Sequence, residues 1–498
     1  MSADYNALLR HFREASLLSS VSSLLGWDES TYMPHRASTL RGEQMALLAR
    51  LHHERVASPA VGEWLDKLEE ETLDDLGRAN VREARRAHVR AVRVPARLVE
   101  ELARAASRAH QAWREARQNS DFKHFQPHLE AILALLREKA DALGHQGCRY
   151  DPLLDEYEPG ASTAEVREVL AALRGELVPL IQQILGSKKS PDRGLLTREY
   201  PVDRQKAFAE AAAAALGFDF EAGRLDVSPH PFCCGMGPGD CRITTRYNER
   251  SFGEGLFGVL HEAGHALYEQ GLPAEMHGMP AGGACSLGIH ESQSRLWENQ
   301  VGRSLPFWEH FFPRLRQAFP HTLAGVKLDS WMLAVNDVRP SFIRVEADEA
   351  TYNLHIILRF EVEQALLDGS LAVADLPGAW NESFEKMLGL KVPDDARGCL
   401  QDIHWSFGGV GYFPTYTLGN LYAAQLMREA RAELPGLDDD FRRGEMSRLK
   451  GWLNEKIHRQ ASIWRAGDLC RRITGCELDH QPFIGYLRDK YSPLYGLQ

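Results

Sequence analysis

Apolar residues recur at three- and four-residue spacing along nearly the whole chain, and this periodicity restricts the fold more than any other feature. From residue 3 to about 215 it is broken only by short polar or Pro-containing joints. It predicts helices over Ala96–Arg117, Thr163–Leu185 and the Ala-rich Gln205–Leu216. Period-two alternation is confined to residues 218–245, where FDFEAGRLDVS and CRITTRY read as strands around a Pro/Gly loop from His230 to Gly239. Helical spacing then resumes to the end. No repeat, low-complexity tract or flexible linker interrupts the pattern. The expectation is a predominantly all-α single domain over residues 1–498, with a helical N-terminal region (residues 1–215), a small β-sheet region (residues 216–250) and a second helical region (residues 251–498).

Charge and composition remove several functional classes. Lys and Arg total 58 against 69 Asp and Glu, a net charge of −11, which argues against a chain devoted to phosphate backbones. Arginines are dense between Arg78 and Arg117, but Glu83, Glu100, Glu101 and Glu115 sit among them at helical spacing. An ion-paired helix face is therefore expected there, and no nucleic-acid partner. No stretch reaches the roughly 18 apolar residues of a membrane span. The N-terminus lacks a cationic start and apolar block, and the 8 cysteines include no Cys-x-x-Cys pair. These readings point to a cytoplasmic protein with free thiols.

The strongest chemistry lies at His261-Glu262-Ala263-Gly264-His265, a His-Glu-x-x-His pattern. Residues four apart stack on one helix face, so both imidazoles can converge on one cation. Glu262 lies beside that face, able to reach a water on the metal without ligating it. Ser251 and Glu254 fit a capping box at the helix start, and Gly271 with Pro273 forms a stop signal. The helix between them is apolar on nearly every side and is expected to be buried, where two imidazoles and a carboxylate are costly unless a metal pairs them.

A third ligand is needed, and the next helical segment, SLGIHESQSRLWENQVG, offers His290, Glu291 and Glu298. Glu291 also stands four residues before Arg295, the spacing of an ordinary salt bridge. Spacing alone leaves Glu291 and Glu298 close to even. A second cluster, from His230, Cys233, Cys234 and Cys241, lacks the spacing of a zinc site.

Beyond the metal motif the sequence carries, in order, His230-Pro231-Phe232, Asp240-Cys241-Arg242-Ile243-Thr244, His290-Glu291-Ser292-Gln293, Ile343-Arg344-Val345-Glu346-Ala347-Asp348 and Gly398-Cys399-Leu400-Gln401-Asp402-Ile403-His404-Trp405. Together these resemble the M32 metallocarboxypeptidases, the thermostable carboxypeptidase (carboxypeptidase Taq) family. The resemblance extends to Trp27-Asp28 through Met33-Pro34 and covers the full chain. It implies Glu291 as the third ligand and a helical fold with a deep groove, similar to neurolysin and angiotensin-converting enzyme. It also implies a homodimer, and release of single C-terminal residues from peptides with broad side-chain tolerance.

Roles follow on that basis. Zn2+, or Co2+ with the same ligands, would be held by His261, His265 and Glu291, with Glu262 as general base and acid. Oxyanion donors are sought among Tyr412, Tyr416 and His404, on the Gly-rich stretch after His404, and resemblance to related zinc peptidases favours Tyr412 with His404. A free carboxylate calls for a guanidinium, for which Arg344 is the first choice. Arg242 would close the groove end or limit peptide length. The ordinary alternatives are ion pairs, Arg344 with Asp348 and Arg242 with Asp240. His230 would line the groove, or else be a buried, satisfied histidine. Rival functions are an endopeptidase or dipeptide-releasing carboxypeptidase, and a non-catalytic metal-containing peptide-binding protein.

Overall fold

The computed structural model describes residues 2–497. The chain is predominantly helical, with one three-stranded sheet. The three predicted helices run Ala96–Asn119, Thr163–Leu185 and Val202–Leu216. Among the described residues no helix is long and apolar enough to cross a membrane, and all eight cysteines are free thiols.

The residues group into two compact units, each assembled from three stretches of chain. The first contains Met1–Ala91, Pro191–Asn336 and Tyr422–Glu477, and the second Val92–Ser190, Asp337–Leu421 and Leu478–Gln498. These boundaries cut across the divisions at 215 and 250 suggested by hydropathy, because packing partners in a helical fold are distant in sequence.

In the first unit the sheet consists of β1 (Gly223–Val227), β2 (Cys233–Gly237) and β3 (Asp240–Thr245) in the order β1-β3-β2. β1 runs parallel to β3 from Gly223↔Cys241 to Val227↔Thr245, and β2 runs antiparallel with Cys233 opposite Ile243. The segment expected to be a loop, His230 to Gly239, thus contains a strand. Its glycines fit a bulge between Gly235 and Gly237 and a turn with Gly239 at φ 81°. Cys233 Sγ lies 3.6 Å from Cys241 Sγ, whereas the Cys234 thiol donates to the Ser23 carbonyl oxygen at 3.7 Å.

The helix bearing the metal motif spans Phe252–Gly271, and Leu256, Val259, Leu260, Ala263, Ala266, Leu267 and Tyr268 on it are buried. Its capping box does not form. The Ser251 side chain caps nothing, its N–H donates to the Asn248 carbonyl oxygen, and Glu254 pairs with Arg246 instead. The same signature does form in the second unit, where Ser162 Oγ accepts from the Glu165 N–H and the Glu165 carboxylate accepts from the Ser162 N–H. What distinguishes position 251 is a competing cation beside the Glu. Gly271 ends the motif helix, though not as a left-handed cap: a Cβ there would meet His458 Nδ1 at 2.5 Å, so close packing requires the glycine.

The second unit packs helices Phe122–Leu143, Tyr352–Asp368, Leu376–Leu388 and Gln481–Tyr495 with the two long ones already named. Trp380 and Trp405 meet edge to face at 6.0 Å in its core. The arginine-rich stretch is ion-paired as expected, Arg97 with Glu101 at 2.6 Å and Arg104 with Glu100 at 2.9 Å.

Candidate active site

The first unit brings two helices together where the metal motif lies. Gly264 faces the helix Leu287–Arg295 so closely that a Cβ would meet the Gln293 carbonyl oxygen and Ser294 Cα at 2.6 Å. Any side chain there would push the second helix away. The contact brings Glu291 over the motif: its Oε2 lies 3.3 Å from His265 Nε2 and 3.6 Å from His261 Nε2. Among the described residues these three are the only group whose ligand atoms cluster as a cation requires, all within 4.8 Å of one another. His230 is exposed, which removes the reading of a buried histidine there.

Both fates foreseen for Glu291 occur at once. Its Oε1 accepts from Arg295 Nε at 2.6 Å, so the i,i+4 salt bridge steers the carboxylate while Oε2 turns to the imidazoles. Glu298 lies behind His261 instead, and its Oε2 accepts the His261 Nδ1 proton at 3.0 Å. A carboxylate can only accept, so His261 carries a proton on Nδ1, and Nε2, which faces Glu291, is the nitrogen available to a cation. Two imidazole nitrogens and one carboxylate oxygen facing a common point fit a divalent cation of the zinc type.

Burial governs the protonation of this cluster. It raises the Glu262 carboxyl to about 7 and lowers the His265 imidazole to about 4. Burial alone would also raise Glu291, but Arg295 and His261 hold it well below the ordinary carboxylate range. Glu298 is likewise drawn down against its burial, to about 2, chiefly by the His261 N–H and Arg295.

The remaining candidates divide between the units. Arg242 on β3 takes Asp240 with two N–H groups, at 2.8 and 2.9 Å, and lies 4.2 Å above the Trp27 ring. The second unit gathers Arg344, His404, Tyr412 and Tyr416: the His404 ring is 5.2 Å from Tyr412 and 6.4 Å from Tyr416, and the Arg344 guanidinium lies 5.1 Å over the Tyr416 ring.

Arg344 does form an ion pair, though not with Asp348. It donates through Nε to Asp402 Oδ1 at 3.0 Å and through Nη1 to the Tyr352 hydroxyl at 2.9 Å. Asp348 is occupied capping the turn before helix Tyr352–Asp368, where Thr351 Oγ1 donates to it at 2.6 Å. Asp402 also accepts from Arg359 Nε at 2.7 Å, and Arg359 is fully buried. His404 is pushed down to about 4 by burial, and its Nδ1 is buried without a hydrogen-bond partner.

Sequence reasoning missed two functions here. Glu298, two helical turns from Glu291, shows itself as an orienting carboxylate only once helix depth is known. Asp402 is 58 residues from Arg344, and no spacing rule joins them.

Comparison with known proteins agrees with this geometry. The model of the carboxypeptidase Taq (M32) metallopeptidase family matches residues 7–491. Thermostable carboxypeptidase 1 of Thermus thermophilus is 50% identical over 507 residues, covering 99% of this chain and 99% of its own. Carboxypeptidase 1 of Bacillus subtilis is 38% identical, with 97% of each covered. Among solved structures, the M32 carboxypeptidase from Deinococcus radiodurans has a TM-score of 0.97 at 42% identity, covering 99% of this chain and 100% of that one.

Proposed function

The chain belongs to the carboxypeptidase Taq (M32) metallopeptidase family and is a metal-dependent carboxypeptidase, and on that premise we propose that it releases single C-terminal residues from peptides, with broad side-chain tolerance, using zinc held by His261, His265 and Glu291. The observation that carries the proposal is Glu291 Oε2 facing both Nε2 atoms, at 3.3 and 3.6 Å, beside a buried Glu262. When bound, the metal supplies Lewis acidity that polarises a carbonyl and makes water acidic. Glu262 takes the proton of the attacking water and passes it to the departing amine.

Tyr412 and His404 donate to the oxygen that gains charge. In support, His404 is neutral at pH 7 and its Nδ1 has no partner to satisfy it. Arg344 receives the terminal carboxylate of the peptide: with Arg359 and Asp402 it forms a buried group of two cations and one anion, and an incoming carboxylate neutralises the surplus. Tyr416 and His230 contact the peptide, and Arg242, braced on Trp27 and Asp240, limits its length. The same proposal includes cobalt as a substitute metal, a homodimer and a cytoplasmic location.

The test is incubation of metal-loaded protein with a short peptide and its C-terminal amide, with and without a chelator, reading products by mass. Stepwise loss of single residues from the free acid, abolished by chelator and nearly absent for the amide, is expected. Equal cleavage of the amide identifies an endopeptidase, loss in pairs a dipeptide-releasing enzyme, and no cleavage a binding protein.

A further inference from the structure

The two metal-facing imidazoles are backed differently. His261 leans directly on a carboxylate, Glu298, whereas His265 Nδ1 meets another imidazole, His290 Nδ1, at 2.6 Å. One proton must lie between those nitrogens, and which ring carries it decides whether His265 can ligate. If His265 carries it, His265 Nε2 is a bare lone pair. If His290 carries it, a neutral His265 has its proton on Nε2, facing Glu291, and cannot bind a cation.

We propose that Glu269 settles this choice through His290, so that Glu269 and His290 are positioning residues for the metal. The proposal rests on the metal-site reading above. His290 Nε2 lies 2.8 Å from Glu269 Oε1. A carboxylate accepts only, so the His290 Nε2 proton is committed to Glu269, and His290 Nδ1 is the nitrogen left to accept the His265 Nδ1 proton. His265 Nε2 then faces Glu291 unprotonated.

The surroundings hold each member in place. The His290 ring lies over Tyr268, centroids 5.2 Å apart at 35°, and Tyr268 in turn stacks on His458 at 4.9 Å, which fixes the plane of the relay. Glu269 is seated against β2 at Gly235, where a Cβ would overlap its carboxylate. The overlap falls on Glu269 Oε2, so an alanine there leaves every ring and carboxyl chemically intact but forces the carboxylate to shift. Glu269 is one turn beyond His265, so the helix that supplies two ligands also supplies the group that sets the tautomer of one of them.

The experiment is Co2+ binding by chelator competition, with the visible spectrum of the bound ion and far-ultraviolet circular dichroism, on the parent, Glu269→Leu, Glu269→Gln and Gly235→Ala. Glu269→Leu is expected to bind about 10- to 100-fold more weakly, the usual loss when an outer partner of a metal ligand is removed. Glu269→Gln, whose amide oxygen can still accept from His290, is expected to keep affinity within a few-fold and the parent spectrum.

Gly235→Ala is expected to weaken binding and alter the spectrum while remaining folded, which keeps the proposal testable if Glu269→Leu does not fold. Parental affinity and spectrum in folded Glu269→Leu or Gly235→Ala overturns the relay, as does equal weakening of Glu269→Gln and Glu269→Leu. Absence of Co2+ binding by the parent instead overturns the metal site on which the relay depends.

Discussion

In the first unit Glu262, Glu269, Glu291 and Glu298 stand around the metal motif with two guanidiniums, Arg295 and Arg303, to answer them. In the second, Arg344 and Arg359 share the single carboxylate Asp402. One buried cluster has carboxylate in excess and the other cation in excess. Buried charge is costly unless matched, so under the proposed function the first imbalance suits a divalent cation and the second suits a carboxylate. The imidazoles follow the same division. His261, in the motif, is held by the acceptor Glu298, whereas His404, beside the arginines, is kept neutral with an unpaired nitrogen.

The comparison can be broken most decisively at Glu262. If its role is proton transfer, Glu262→Gln should lower kcat by about 10³-fold or more while metal affinity, read by chelator competition, stays at the parent value. Full activity in that variant removes Glu262 from the mechanism.

The charge imbalance of the second unit can be tested by stability. Asp402→Asn leaves two buried guanidiniums without a counter-charge and should cost about 3–5 kcal/mol in denaturant unfolding. Arg344→Ala leaves the neutral pair Arg359–Asp402 and should cost clearly less, while raising KM for free-acid peptides. Equal destabilisation by the two variants means that Arg344 is simply a structural partner of Asp402.

A smaller effect should follow pH. Burial raises Glu363 to about 7, although Tyr150, Trp405 and the Gly411 N–H all donate to it. A carboxyl with a raised folded pKa binds its proton more tightly in the folded state than in the unfolded one. Its stabilisation is complete below about 4.5 and is lost as pH rises through about 7, a change on the order of 3 kcal/mol. Glu363→Gln should flatten that portion of the stability profile, and an unchanged slope would assign it to other groups.

The smallest prediction concerns the unformed cap. Because the Ser251 side chain caps nothing, Ser251→Ala should change stability by less than about 0.5 kcal/mol, whereas Ser162→Ala, which removes a formed capping box, should cost about 1 kcal/mol.

Local patterns made much of the molecule legible. Helical spacing identified Thr163–Leu185 to the residue, and the four-residue interval between His261 and His265 placed both imidazoles on one face. They were legible because helix geometry is a property of neighbours along the chain. Local signals failed where a distant group competed: Arg246 took Glu254 from its cap, β3 turned the loop at Cys233–Gly237 into a strand, and Asp402 displaced Asp348 as the partner of Arg344.

The residues by themselves determined the helical class, the metal motif and the short list of carboxylates able to complete it. Only the tertiary structure shows which carboxylate faces both imidazoles. Glu291 and Glu298 lie on the same stripe of helix, and the close contact allowed by Gly264 lets one face both imidazoles while the other is left behind His261. Periodicity fixes a side chain's direction around its own axis, but the distance to a group on another helix depends on how deeply two surfaces interlock, and that is a property of the packed pair.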